Sequence, residues 1–336
     1  MWSLFEHQLV NGSFGDPALY VDFRDDKRAL LFDLGDITAL PPRKLLRLSE
    51  VFVTHTHMDH FCGFDHWLAV VLARKARVTL HGGPGFIAQV EHKLRAYTWN
   101  VVHRYAVPLV IEVREIGTDG RCRKARFSSR TAFSREDGES VPMAGDVLHE
   151  EPTFRVRGRF VDHEMPCLAF ALEEKANVRV AADRLAAFGV TTGPWLRELK
   201  HAVMTNAPGD TPLHLQWRDE HGDHAMTRSV GELRHLVLDV APGLRIGYVT
   251  DLRFTEANVH TLVQLLHGVD VLYIESVFLE ADAAHARRKN HLTAAQAGEI
   301  ARRAGARAIV PMHHSPRYEG RGQELVDEAV AAWRDR

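Results

Sequence analysis

The amino-acid sequence predicts an α/β protein in which sheets and helices form layers. Short apolar, β-rich runs alternate with helical patterns in two separate blocks, which is typical of a layered α/β architecture. The 336 residues are 45% hydrophobic and 26% charged, enough for a full core. We expect one domain over residues 1–336, with an inserted arm at about 175–243, where polar residues, Gly and Pro are more frequent.

The first block contains several predicted strands and one predicted helix. Residues 28–35, 50–54 and 77–83 are short apolar runs that indicate buried strands. Residues 58–76 repeat apolar side chains at helical spacing and are predicted to form one helix. Residues 1–23 lack the basic start and continuous apolar stretch of a secretory signal, so we expect them to contribute strands.

The second block repeats this alternation. Residues 244–251, 270–276 and 306–314 are predicted strands. Between the last two lies a helical pattern for which Thr293 is the expected N-cap, and Gly305 is expected to end the helix.

Composition limits the location of the protein and the kind of metal site. No apolar run is long enough to span a membrane, and without a secretory signal we expect a cytoplasmic protein. Cys62, Cys122 and Cys167 are odd in number and show no CxxC spacing, so neither a disulfide framework nor a thiolate zinc site is supported. Any metal must therefore be held by His and carboxylate side chains.

Charge gives two contrasting indications about nucleic acids. The net charge of −2 is unlike the basic surplus of most nucleic-acid-binding proteins. Residues 121–135, however, lack clear periodicity, contain no carboxylate and are predicted to be a loop. Their basic residues are Arg121, Arg123, Lys124, Arg126, Arg130 and Arg135. This segment is either a phosphate-contacting loop or an ordinary solvated surface loop.

Four side chains of the metal-binding types lie within six positions, at His55, His57, Asp59 and His60. They directly follow the apolar run 50–54, and a loop after a strand can bring such side chains together. Imidazole and carboxylate ligands without thiolate suit Zn²⁺, although Mn²⁺ or Fe would accept the same set. The cluster therefore predicts a metal site at the end of this strand.

The His-x-His-x-Asp-His pattern resembles the signature of the metallo-β-lactamase superfamily, which implies a four-layer αββα sandwich holding two metal ions. Further segments are similar to the ribonuclease Z family, the endonucleases that remove the 3′ trailer from precursor tRNA. Residues 160–167 resemble the segment around that family's third metal-site histidine, here His163. Residues 189–200, with Gly193 and Pro194, resemble part of its tRNA-gripping arm, although Gly-Pro also suits a turn before a helix.

The resemblance extends through the second block. Asp251 matches the aspartate that bridges the two metals, and His291 with Glu275 matches the catalytic histidine and its supporting acid. His313, rather than His314, matches the last ligand, because the family places Arg-Tyr four residues after it.

These matches imply a complete site. The implied ligands are His55, His57 and His163 for one metal, Asp59, His60 and His313 for the other, and Asp251 for both. The implied substrate contacts are Arg317, Ser315, Gly193 and Pro194. Asp33 matches a buried aspartate that would orient a ligand histidine.

The implied reaction is hydrolysis of a phosphodiester, in which two metals lower the pKa of a water molecule and bind the phosphate oxygens. Asp59 would also orient the attacking water. His291, held by Glu275, would donate a proton to the leaving 3′ oxygen near neutral pH. Arg317 would either steady the phosphate or form a surface salt bridge.

Departures from the family pattern leave the substrate open. Residues 33–37 are shorter than the family's Gly-rich motif, Ile274 replaces a histidine, and Ala171 replaces an arginine. Three hypotheses follow: a tRNA 3′ endonuclease, a hydrolase of a small phosphodiester, cyclic nucleotide or lactone, and a non-catalytic RNA-binding relative. The expected partner is RNA or a small phosphodiester, and a homodimer is possible. The intact ligand set argues against the non-catalytic hypothesis.

Overall fold

The computed structural model describes residues 3–24, 26–219 and 222–335. The chain divides into two compact units. The smaller unit comprises Met1–Leu4, His149–Arg155 and Glu173–Leu244. The larger unit comprises Phe5–Leu148, Val156–Leu172 and Arg245–Arg336. Among the described residues, no helix is both long and apolar enough to cross a membrane.

The described residues form eighteen strands. They are β1 (Phe5–Leu9), β2 (Leu19–Phe23), β3 (Ala29–Phe32), β4 (Leu48–Phe52), β5 (Arg77–Gly82), β6 (Val110–Ile116), β7 (Arg121–Ser128), β8 (Arg135–Pro142), β9 (Val147–Glu150), β10 (Phe154–Asp162), β11 (Pro166–Glu174), β12 (Asn177–Val180), β13 (Pro212–Asp219), β14 (Gly222–Ser229), β15 (Leu238–Ala241), β16 (Arg245–Val249), β17 (Val271–Glu275) and β18 (Ile309–Met312). Strands β1 to β8 form one sheet in sequence order, and a second sheet has the order β18-β17-β16-β11-β10-β9.

Eleven α-helices accompany these strands in the described residues. They are α1 (Pro42–Leu45), α2 (Met58–Phe61), α3 (Phe64–Val71), α4 (Phe86–Arg95), α5 (Ala182–Phe188), α6 (Pro194–Met204), α7 (Val230–Val237), α8 (Glu256–Leu266), α9 (Ala283–Lys289), α10 (Ala294–Arg303) and α11 (Gly322–Arg334). Helix α10 begins with a capping box between Thr293 and Gln296, and Gly305 follows it with a φ of 67°. Both helix-end predictions are therefore confirmed.

The larger unit has four layers. Apolar residues of α3 and α4 share one core with the eight-stranded sheet, and apolar residues of α8 and α10 share another with the second sheet. The inner faces of the sheets meet through aromatic rings, since Phe170 lies 5.5 Å from Phe32 and 5.8 Å from Phe52 between ring centroids. This arrangement confirms the predicted α/β sandwich.

The single helix predicted over 58–76 is wrong, because the chain forms α2 and α3 with a break at Cys62 and Gly63. A Cβ atom on Gly63 would lie 2.1 Å from the carbonyl oxygen of Gly35, so this helix start passes directly against another loop. Only glycine permits such an approach. The long-range contact overrides the helical periodicity.

The loop predicted over 121–135 is also wrong, because its first half is strand β7 and its last residue begins β8. The two strands pair with each other. The arginines contact carboxylates elsewhere: Arg123 pairs with Asp119, Arg126 with Glu136, and Arg135 with Asp137 and Glu91. These ion pairs involve three of the six basic residues of the segment and so offset about half of the positive charge that the sequence displays.

The smaller unit contains the segment predicted as an inserted arm. Its helices α5, α6 and α7 and the hairpin of β13 and β14 enclose their own apolar core, in which Trp195, Leu199 and Leu233 are buried. Gly193 and Pro194 lie at the start of α6, where proline suits the first helical turn. The division into one domain with an arm stays a prediction.

Candidate metal centre and active site

Strand ends of the larger unit deliver most of the predicted site residues. The His-x-His-x-Asp-His segment follows β4, Asp251 follows β16, Glu275 ends β17, and His313 follows β18. Strands β16, β17 and β18 are parallel, so their carboxyl ends lie at one edge of the sheet. Local sequence and sheet topology together bring these side chains into one place.

One group of potential ligands consists of His55, His57, His163 and Asp251, whose ligand atoms all lie within 4.8 Å of one another. Nε2 of His55 lies 3.6 Å from Oδ2 of Asp251, and Nε2 of His163 lies 3.5 Å from the same oxygen. Both histidines therefore direct a ring nitrogen at one carboxylate oxygen.

A second group consists of Asp59, His60 and His313. Nε2 of His60 lies 3.4 Å and Nε2 of His313 lies 3.3 Å from Oδ2 of Asp59. The other oxygen of Asp251, Oδ1, lies 3.5 Å from Nε2 of His60 and 3.0 Å from Nδ1 of His313. Asp251 thus presents one oxygen to each group, as a bridging ligand would.

Asp33 fixes the ring orientation of His60 in the second group. Its fully buried carboxylate lies 2.9 Å from Nδ1 of His60 and accepts hydrogen bonds from the backbone nitrogen and the hydroxyl of Thr54 and from the hydroxyl of Tyr248. Because the other donors make this carboxylate an acceptor, Nδ1 of His60 donates to it, which leaves Nε2 as the ring nitrogen that would bind a metal. Sequence analysis did not identify Thr54 or Tyr248.

A hydrogen-bond network holds His163 in its orientation. Nδ1 of His163 lies 2.9 Å from the backbone oxygen of Asn290, and the Asn290 side chain accepts a bond from Arg253 and donates one to Glu164. Arg253 also forms an ion pair with Glu164 at 2.9 Å. Sequence analysis missed this network. The available signal was Asn290, which directly follows the basic residues at the end of α9. Asparagine is favoured at the ends of helices, so this position indicated a helix end close to His291.

His291 and Glu275 form a pair beside the ligand groups. Nδ1 of His291 lies 2.8 Å from Oε2 of Glu275, while Oε1 of this buried carboxylate accepts bonds from the backbone nitrogens of Leu252 and Leu292. Burial alone would lower the pKa of His291, but the Glu275 carboxylate outweighs it and raises that pKa. The pair can therefore hold a proton on His291 near neutral pH.

His314, the competitor of His313, belongs to neither ligand group. Its Nδ1 faces the Ser276 backbone oxygen at 3.1 Å, and its ring packs on Phe14. Of the predicted substrate contacts, Ser315 and Arg317 line a cavity of about 460 Å³ together with the ligand residues Asp59 and His313. Arg317 also pairs with Asp282 at 3.4 Å, which is the surface salt bridge expected as one alternative, whereas its contact with a phosphate stays a prediction.

The donor set fits divalent metal ions. Nε2 of His55 and Nε2 of His60 are buried, and neither has a hydrogen-bond partner within the described part of the chain. Burial lowers the pKa of His55 to about 2, which keeps its ring neutral as a ligand requires. Burial also acts on His60, but Asp251 and Asp33 outweigh it and raise its pKa well above the usual value. The carboxylates therefore create a negative potential that favours a cation.

Comparison with known proteins agrees with this architecture. A family model described as a beta-lactamase superfamily domain matches residues 197–314. A metallo-beta-lactamase fold protein from Bacillus subtilis superposes with a TM-score of 0.54 at 13% identity, covering 98% of this chain and 93% of its own. The short form of human tRNase Z gives 0.53 at 15% identity, with 94% and 92% covered. Fold and site together define a metal-dependent hydrolase of the metallo-β-lactamase superfamily.

Sequence relatives narrow the class. The chain is 32% identical to the ribonuclease Z of Deinococcus radiodurans, with 94% of this chain and 92% of the relative covered. It is 31% identical to the ribonuclease Z of Thermobifida fusca, with 92% and 82% covered. The chain belongs to the ribonuclease Z family.

Proposed function

We propose that this protein is a zinc-dependent endoribonuclease that removes the 3′ trailer of precursor tRNA. The observation that carries the proposal is the placement of Asp251 between two groups of ligands, each facing one of its oxygens. Relatives named ribonuclease Z, similar over nearly the whole chain, support the choice of substrate.

The residues have distinct roles in this proposal. His55, His57, His163 and Asp251 would hold one divalent ion, and Asp59, His60, His313 and Asp251 would hold the other. When bound, such ions activate water and polarise the phosphate. Asp59 orients the attacking water, and His291 donates its proton to the leaving 3′ oxygen while Glu275 holds the imidazole. Ser315 and Arg317 contact the phosphate from the wall of the cavity.

A small phosphodiester is the second candidate substrate. The net charge of −2 and the ion-paired arginines of β7 and β8 provide little basic surface for a large RNA there. Precursor tRNA with and without its trailer, assayed beside bis-p-nitrophenyl phosphate, separates the candidates. A protein that cleaves only the small diester would refute the tRNA proposal and favour the second candidate.

The arm gives a sharper test of substrate size. Asn177 pairs with Ala241 across β12 and β15, so the ends left by removing residues 176–240 are close enough for a short Gly/Ser bridge. Contacts outside the metal site benefit only substrates large enough to reach them. The deletion should therefore reduce cleavage of precursor tRNA far more than hydrolysis of the diester, and flatten the salt dependence of RNA binding. An equal loss of both activities in a folded deletion would contradict a role for Gly193, Pro194 and the rest of the arm in RNA binding.

Metal content tests the site itself. The ligand groups predict about two zinc equivalents per chain. Elemental analysis of the wild type and of a His57→Ala, Asp59→Ala double variant measures this, and an unchanged metal content would refute the ligand assignment. Whether the protein forms a homodimer is tested separately, by measuring its molar mass in solution with light scattering.

A further inference from the structure

The last turn of helix α9 carries three consecutive cations, Arg287, Arg288 and Lys289. Within the described part of the chain, none of the three forms an ion pair with a carboxylate, and Arg288 contacts only the ring of His285. The nearby Asp282 already binds Arg317 and the hydroxyl of Tyr318. The charge of this turn is therefore available to a ligand, unlike the ion-paired arginines of β7 and β8.

The turn also lies at the proposed active site. Lys289 and His285 line the same cavity as His291, His313 and Asp59. The side chain of Lys289 is exposed, so its ammonium group can reach an anion that enters the cavity.

The backbone that carries Lys289 is fixed. The next residue, Asn290, ends the helix with a φ of 62°, and its side chain bonds to Arg253 and Glu164. Its backbone oxygen holds the ring of His163. The lysine thus extends from an anchored point, and a bound anion would take a defined position relative to the ligand groups.

We propose that Lys289 binds a backbone phosphate adjacent to the scissile phosphate of the RNA strand, with Arg287 and Arg288 adding to the local positive potential. A lysine ammonium group is a compact point charge that pairs with a phosphate without requiring a fixed angle. The proposal rests on the proposed function, because it presumes a substrate with more than one phosphate. A diester with a single phosphate has no group to place at this subsite.

A merely structural role would produce a different result. Cations in the last turn of a helix interact favourably with its dipole, which stabilises the helix without contacting substrate. In that case Lys289→Ala would lower the melting temperature and leave the KM for RNA unchanged. KM and melting temperature therefore have to be measured on the same variants.

The experiment compares Lys289→Ala, Lys289→Arg and Lys27→Ala in the metal-loaded protein. Lys27 is an exposed lysine between β2 and β3 and does not line the cavity, so its variant is a matched control. For a trailer-containing RNA, Lys289→Ala should raise KM about fivefold, the effect of losing one partly exposed ion pair of about 1 kcal/mol. The slope of log KM against log salt should become shallower by about 0.7. Lys289→Arg should retain most of the affinity, and bis-p-nitrophenyl phosphate should respond much less.

The possible outcomes separate this proposal from the proposed function. If Lys289→Ala matches Lys27→Ala in KM and salt slope for RNA, the subsite is refuted while the function stands. If the wild type cleaves neither substrate but binds RNA with a salt slope that depends on Lys289, the proposed function is refuted, and of the subsite only phosphate binding by Lys289 stands. If the wild type neither binds nor cleaves RNA, the subsite is refuted as well.

Discussion

Replacing Asp33 by asparagine should weaken metal binding although Asp33 is not a proposed ligand. The carboxylate accepts from both donors of Thr54, from Tyr248 and from Nδ1 of His60. An amide has only one acceptor oxygen. If that oxygen continues to accept the hydrogen bond from the backbone nitrogen of Thr54, the amide NH₂ faces His60 and Tyr248. His60 then has to accept through Nδ1 and protonate Nε2, the nitrogen that faces Asp59 and Asp251.

The magnitude follows from the contacts that change. Loss of an outer partner of a metal-binding histidine typically lowers metal affinity about 10- to 100-fold, which is roughly 1.4 to 2.8 kcal/mol. The metal-free protein should lose roughly 1 to 3 kcal/mol of unfolding free energy as well, because the buried Tyr248 hydroxyl no longer donates to a carboxylate.

The assay is competition of the protein with a chromophoric chelator for zinc, combined with urea unfolding of the metal-free form. Asp36→Asn is the matched control, because Asp36 is exposed and, within the described part of the chain, its carboxylate accepts hydrogen bonds only from Thr38. If Asp33→Asn retains wild-type affinity for two zinc ions, the assignment of the His60 tautomer is wrong.

Three further substitutions test other parts of the structure. His291→Ala should slow turnover about 10²- to 10⁴-fold without loss of zinc, and a variant that loses zinc would show that His291 is a ligand. Arg253→Ala frees the loop of His163, so mild chelation should remove one zinc about tenfold more readily than in Arg253→Lys, as metal analysis would show. The hydrogen bond from Arg157 lowers the pKa of Asp146 to about 2. Because folding lowers this pKa, the ionised Asp146 contributes roughly 1 kcal/mol to the unfolding free energy above about pH 4, and this contribution is lost towards pH 2. The unfolding free energy of Asp146→Asn, measured in urea, should lack this dependence on pH.

Features encoded by neighbouring residues were predictable from the sequence. The strands around His55 and Asp251 are short apolar runs, and the capping box of Thr293 lies within four residues. The grouping of His55, His57, Asp59 and His60 needed only their spacing at a strand end. The more distant His163 and His313 were assigned by resemblance, and the structure brings both to Asp251.

Features that depend on distant partners were not predictable in this way. The break before α3 arises where Gly63 approaches Gly35, and no local pattern marks that contact. The arginines of β7 appeared unpaired because their carboxylate partners lie outside the segment, as Glu136 does for Arg126. The contact of Tyr248 with Asp33 joins residues 215 positions apart. The sequence-based predictions therefore failed where pairing and packing between distant residues determine the structure.

Backbone strain at the site has the same long-range origin. Asp33, Glu164, Asn290 and His313 all have φ between 58° and 68°, a region that costs residues with a Cβ atom roughly 1 kcal/mol or more each. Each makes polar contacts that depend on this geometry: Asp33 contacts His60, Asn290 contacts His163, Glu164 contacts Arg253, and His313 contacts Asp251. The folded core of the larger unit can support this cost, because Asp33, Glu164 and His313 follow strands of its sheets and Asn290 ends helix α9. The strained conformations at these positions therefore orient the ligands at the expense of stability.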